Sequence, residues 1–315
     1  MTEVIRKARV QRNPWLRFVA CSADEVLVRH GTRSQFSTVL YDEQHCGFLA
    51  PALEALAAPH SVDELAAAVA PGREGDVAGL VDTLFAQGIL LPEDAAPIDA
   101  FAAVQYAGAT LSEAAAVTVL GEGSTAARVH EELAAAGLPV VGRPTVDGGD
   151  TDFRDPAVAR AALAAAGTAV VATDSFSPST FHAVNEAAIE TGRPWLLAYC
   201  DGSHAVVGPW FVPHVTPCYA EVEAQLEAGI VNLAEYLVFR DAADGRAAPT
   251  FSPYRGVAAA WAVAALVPML AGASPPLLGR FMTFDFERMS IDTTDVLRLP
   301  RCPRCSDTPT RHVFA

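Results

Sequence analysis

Lysine is almost absent from this sequence: Lys7 is the sole one in 315 residues. Transfer of a nucleotidyl or phosphoryl group relies on cations placed on the phosphates, because catalysis there is mostly positioning and charge neutralisation. Positive charge is short altogether, with 22 basic against 37 acidic side chains and a net charge of −15. That deficit argues against general attraction to nucleic acid or to an anionic membrane. No apolar run follows the N-terminal charges, so a secretory signal is not expected. The longest apolar stretch, Gly256 to Gly272, is alanine-rich, contains Pro268 and has no apolar companion. It reads as a buried helix rather than a membrane span. Six cysteines, four of them without a short-spaced mate, suit a reducing cytosol better than a disulfide framework. No internal repeat is visible.

What is present is enough apolar material, 51% of residues, to build one large core or two smaller ones. The charge is uneven. Residues 1–34 hold seven bases and three acids, leaving −19 on the rest of the chain. This basic end is either a solvated terminus or a docking surface for an acidic partner segment. Periodicity fades over 92–112, which carries two prolines. The expected organisation is a module over 1–95, a linker over 96–114 and a second module over 115–315.

In the first module, "LRFVACSADEVLVRHG" reads as two strands around a turn and "QFSTVLYDE" as a third. Three helical stretches follow. The second opens with Ser61 three residues before Glu64, a capping box, and the third places Val77, Leu80, Val81 and Leu84 on one face. Three strands and three helices predict a small winged-helix-like module. A DNA role fails on charge, since the third helix has Asp76 and Asp82 but no Lys or Arg. The second module alternates strands and helices, and its apolar strands predict a mostly parallel, Rossmann-like sheet covered on both faces.

Three constellations could carry chemistry. Gly121-Glu122-Gly123-Ser124-Thr125-Ala126 fits G-x-G-x-x-A between a strand and a helix. It is either a phosphate cradle or an inherited turn, and Glu122 would oppose a phosphate. Asp174 ends a buried strand, where it could hold magnesium or cap the next helix. Cys302 and Cys305 form a C-x-x-C whose thiolates could share a zinc with Cys218, or remain two reduced thiols. A fourth ligand would be Glu221 or His312.

These segments together resemble the ThiF-like proteins of ribosomal peptide natural-product clusters, themselves similar to ubiquitin-activating-type adenylating enzymes. The resemblance runs from "VLGEGSTAARVHEELAAAGL" through "VVATDSFSPSTFHAVNEAAIETGRPWL" and "GPWFVPHVTPCYAE" to "RLPRCPRC". It places Asp174 at the family's magnesium-associated Asp, and Cys218, Cys302 and Cys305 at three of four structural zinc cysteines. The N-terminal module resembles the PqqD-like recognition element, in which a precursor's leader peptide adds a strand beside the third strand and packs on the third helix. Carried over, the peptide-binding residues are Phe36, Ser37, Thr38, Val39, Leu40 and Tyr41, with Val77, Leu80, Val81 and Leu84 as the helix wall. Active adenylating members carry an Arg and a Lys for the phosphates; here Arg143 and Arg154 stand without a lysine, Ser175 replaces Asn, and Glu221 replaces a zinc cysteine. The resemblance therefore implies a cytoplasmic, non-catalytic scaffold without ATP. It would bind a leader and dock a YcaO-type cyclodehydratase that makes azolines, later thiazoles or oxazoles, as in thiopeptides. The rival reading is an active ATP-dependent adenylating enzyme acting on a peptide. Whether the body forms a homodimer, as its adenylating relatives do, is left open.

Overall fold

The computed structural model describes residues 9–106, 109–121, 123–141, 152–246 and 249–306. The chain divides into two compact units, Met1–Ser112 and Glu113–Ala315.

The first unit holds a three-stranded antiparallel sheet in the order β2 (Arg17–Ala20), β3 (Glu25–Arg29), β4 (Ser37–Tyr41). Helices α1 (Leu49–Ala55), α2 (Val62–Val69) and α3 (Glu74–Ala86) follow. The capping box at α2 forms in both directions, Ser61 taking the Glu64 amide and Glu64 taking the Ser61 amide. Val26 and Val28 of β3 pack into one core with Leu53, Leu65, Val77 and Val81. Gly88, at φ +69°, turns the chain after α3, as a glycine after a helix commonly does.

Three elements of this first unit were not anticipated. Strand β1 (Val10–Arg12) pairs antiparallel with β5 (Leu90–Pro92), and helix α4 (Pro97–Gln105) occupies what reads in sequence as linker. Buried Asn13 ties these together, donating from Nδ2 to the carbonyls of Gly88 and Ala100 at 3.0 and 2.8 Å. A lone polar residue carries no periodic signal, so only folding brings its two acceptors to it.

The second unit is built on a six-stranded sheet ordered β11 (Ser290–Asp295), β10 (Arg280–Asp285), β9 (His204–Phe211), β8 (Trp195–Asp201), β7 (Thr168–Thr173), β6 (Val117–Leu120). Helices α5 (Gly123–Ala135) and α10 (Ser252–Leu270) pack on one face. Helices α6 (Pro156–Ala164), α7 (Pro178–Thr191) and α8 (Tyr219–Ala228) cover the other, and α9 (Leu233–Ala243) follows α8. The sheet is mixed rather than mostly parallel: β6, β7 and β8 run parallel, but the β8–β9, β9–β10 and β10–β11 pairings are antiparallel. The reason is local. Only Gly202 and Ser203 separate β8 from β9, and so short a connection can only reverse the chain. Val140 makes an isolated bridge to Val117, and the rest of the strand expected there lies outside the described residues. Helix α10 is the one described helix long and apolar enough to cross a membrane. Its Ala258, Ala262 and Leu266 are buried, and the Trp210 indole of β9 donates to its Ala265 carbonyl.

Candidate functional site

The first unit offers a groove along β4. Among the described residues β4 pairs only with β3, in the register Val28↔Thr38, Leu27↔Val39, Val26↔Leu40. Just beyond the strand ends, the His30 amide donates to the Phe36 carbonyl and the Asp42 amide to the Asp24 carbonyl. Antiparallel pairing alternates, so Thr38 and Leu40 bond to β3 while the N–H and C=O of Ser37, Val39 and Tyr41 face the open edge. Beside that edge lies a cavity of about 590 Å3, lined by Thr38 to Gln44 and by Arg73, Gly75, Asp76, Gly79, Leu80, Thr83, Leu84 and Gln87 of α3 and its flanks. A second cavity of about 470 Å3 shares Thr38 and Gln87 and continues past Phe36 to Val104.

Of the wall expected on α3, Leu80 and Leu84 line the groove. Val77 and Val81 do not: both are fully buried in the core, because they sit on the helix face turned away from the groove. Among the residues that sequence reasoning missed are Gly75, Gly79, Thr83 and Gln87. Polar and small side chains on the solvent side of a helix look like an ordinary exposed face until the strand opposite them is known.

In the second unit, the glycine turn and Asp174 meet, and the acid fills the turn. Asp174 Oδ1 accepts from the Thr125 amide at 2.7 Å and its hydroxyl at 2.6 Å, and Oδ2 accepts from the Ser124 amide at 2.9 Å. These are the donors at the N-terminus of α5 that a phosphate would use. Arg255 of α10 lies 3.7 Å from Oδ1 and donates to the Ser124 hydroxyl. Burial by itself would raise the Asp174 pKa. The Thr125 hydroxyl, the two amides and the Arg255 charge outweigh it, and the carboxyl sits below its ordinary value. Gly123, at φ +85°, has no room for a side chain, since a Cβ would lie 2.3 Å from Asp174 Oδ2. At Gly121 a Cβ would lie 1.9 Å from the Ala172 carbonyl oxygen. Both glycines are thus required by the chain's own packing. Glu122 and Arg143 lie outside the described residues, as does Lys7. Arg154 is bonded to Asp152 on the wall of an adjoining cavity of about 290 Å3. Cys200 lies near Thr125 and Asp174, and burial pushes its thiol up to about 12, so it is protonated at neutral pH.

The third cluster joins Cys218, at the start of α8, to Cys302 and Cys305 and brings in Glu221. Their ligand atoms lie within 4.8 Å of one another, all four residues are buried, and the cluster could hold a metal ion. Glu221 is fully buried. Its Oε2 accepts from the Cys218 amide at 2.6 Å and lies 3.3 Å from the Cys305 sulfur, while Oε1 accepts from the Leu299 amide. Burial pushes the Cys218 thiol up to about 11 and raises Cys305 as well. Raised thiols at Cys218 and Cys305 hold their protons more tightly unless a cation compensates the charge of the thiolates. His312 lies outside the described residues.

No family model matches the sequence, and no curated protein matches it. Solved structures do share the fold. A heterocyclase in complex with substrate and cofactor superimposes with a TM-score of 0.71 at 19% identity, covering 96% of this chain and 40% of that one. The heterocyclase TruD gives 0.67 at 20% identity, covering 95% and 43%. E. coli MccB with SeMet MccA gives 0.55 at 16% identity, covering 95% and 100%. The chain therefore spans about two fifths of the length of the heterocyclases it resembles. What it shares with all three is the fold.

Proposed function

We propose that the chain is a non-catalytic scaffold of azole-forming ribosomal peptide biosynthesis, binding the leader of a precursor peptide as an added strand on β4. The observation that carries this is the open β4 edge beside the α3 groove. An extended peptide there gains main-chain hydrogen bonds from Ser37, Val39 and Tyr41, and its alternate side chains enter the groove. The winged-helix-like, PqqD-like reading of the first unit and the degenerate ThiF-like reading of the second belong to this proposal. So does its partner. The proposed partner is a YcaO-type cyclodehydratase. Holding the leader raises the concentration of the core peptide at that partner.

Asp174 supports the non-catalytic half of the reading, because it takes the donors a nucleotide's phosphates would need. The Cys218, Glu221, Cys302 and Cys305 cluster is assigned to structural zinc. A tetrahedral zinc with bonds of ~2.3 Å separates two sulfurs by about 3.8 Å. The Cys218 and Cys302 sulfurs are 3.7 Å apart. Zinc there would compensate the thiolates and staple α8 to the C-terminal C-x-x-C.

The test is hydrogen exchange on the purified chain, with and without a peptide selected on it from a random library. Peptide must newly protect the Ser37, Val39 and Tyr41 amides, while Thr38 and Leu40, already bonded to β3, change little. Protection without that alternation would sink strand addition.

A further inference from the structure

The three-stranded sheet of the first unit has a second face, opposite its core. Phe18, Val26, Val28 and Leu40 point inward, so the register turns Arg17, Val19, Leu27, Arg29 and Val39 outward. Val19, Leu27 and Val39 are in register across all three strands and form one aliphatic stripe at right angles to them. Val19 is 56% and Val39 54% exposed. The next row along is Arg17 opposite Arg29. Arg33 lies in the turn after β3, and Arg12 and Arg17 line a cleft of about 580 Å3.

Several other arginines are held by acids. Arg9, Arg73, Arg160, Arg240, Arg255, Arg280 and Arg288 each lie within 4 Å of a carboxylate. Among the described residues no such pairing involves Arg12, Arg17, Arg29 or Arg33; Arg29 donates to the Ser34 carbonyl and Arg12 lies over the Phe18 ring, contacts that leave both positive charges uncompensated. Directly opposed like charges on adjacent strands are destabilising. Arg17 against Arg29 is such a pair, and an anion laid across it would turn the repulsion into attraction.

We infer that this outer face docks an acidic amphipathic helix of a partner protein. The aliphatic stripe selects against a nucleic acid, which has no apolar side chains to lay on it. The stripe runs across strands spaced ~4.8 Å apart, a span of about 10 Å that two helical turns cover. Apolar residues of the helix lie over Val19, Leu27 and Val39, and its acids lie along the flank that meets Arg17 and Arg29. The opposite flank carries Glu25 beside Tyr41, which fixes the direction the acids face. This face meets the peptide groove at Val39, and an added strand extends the sheet at its edge while leaving Arg17, Val19, Leu27 and Arg29 uncovered.

The probe is a short synthetic amphipathic helix of leucines and glutamates, compared with its lysine-for-glutamate counterpart, on the full chain. The glutamate helix should shift the amide resonances of Val19, Leu27 and Arg29 and bind more weakly as salt rises. Arg17→Glu should lower its affinity about tenfold or more, give the lysine helix measurable binding, and raise the thermal midpoint by removing the cross-strand repulsion. A variant that is more stable yet binds worse cannot be explained by loss of fold. Equal binding of both helices, an unchanged affinity in Arg17→Glu, or preferred binding of a short RNA or an anionic vesicle would each overturn the inference.

Discussion

Removing the Asp174 carboxylate should weaken the second unit and, in the same step, expose an anion site. In Asp174→Ala the amides of Ser124 and Thr125 and the Thr125 hydroxyl lose their acceptor, and Arg255 loses its counter-charge. Loss of a helix cap costs about 0.5–2 kcal/mol, and a hydrogen bond to a charged group contributes about 1.5–3 kcal/mol. The side chain is 15% exposed, so water replaces little of what is lost. A net loss of about 2–3 kcal/mol is expected, read from urea unfolding at neutral pH. The pH dependence has a definite sign. The folded pKa lies below the unfolded value, so this stability is present above the unfolded value of 3.8 and disappears as pH falls through the folded pKa. Wild type and variant should therefore converge in strong acid. Inorganic pyrophosphate then separates the two proteins. It should raise the thermal midpoint of Asp174→Ala, whose donors are vacant, and leave wild type unchanged; saturation at a hundred times Kd would add about 2.7 kcal/mol. Micromolar binding of magnesium ATP by wild type in a calorimetric titration would refute the reasoning and revive the adenylating enzyme. Equal stability of the two proteins would refute it too.

Three further outcomes are expected. Val39→Pro deletes an edge donor that β3 does not use, so affinity for a library-selected peptide should fall about tenfold by fluorescence anisotropy with little loss of stability; Leu40→Pro, which breaks the β3 ladder, should destabilise the unit, and equal effects of the two would contradict the register. Gly79→Ala puts a methyl group where nothing lies within 4 Å; it should stabilise α3 by about 0.5–1 kcal/mol and weaken peptide binding by narrowing the groove, and unchanged affinity would place the peptide elsewhere. The purified chain should carry about one zinc, which Glu221→Gln should release faster to a chromogenic chelator; a metal-free chain whose melting is indifferent to added zinc would leave only reduced thiols.

Local pattern and composition made several elements legible. The capping box at Ser61 and the apolar runs of β6 and β7 coincide with the residues that announced them, and of the apolar positions read on α3, Val77, Val81 and Leu84 are buried. Cys302 and Cys305 announced themselves by spacing, and Cys218 by its place after the prolines that end a strand. The mixed sheet was missed although "CDGSH" held a tight-turn signal, because the apolar runs on either side look alike whichever way they point. Helices α8 and α9, strands β1 and β5 and the β10–β11 hairpin gave too little periodicity to stand out, and each depends on non-local partners.

The sequence by itself determined which segments would be buried, the net negative charge of the chain, and which side chains were chemically unusual. It did so because burial, net charge and motif spacing are properties of residues and their near neighbours. Only the tertiary structure decided what those side chains do. The glycine turn and Asp174 have α5, α6 and β7 between them in sequence, yet they close on each other once β6 and β7 pair in parallel. Val77 and Leu80 share one helix, but only the position of β4 decides that Leu80 faces the groove and Val77 the core. Glu221 joins the cysteines because the start of α8 packs against the C-terminal C-x-x-C. Each of these outcomes is a distance across the fold, and contacts between distant segments are fixed by packing rather than by local preference.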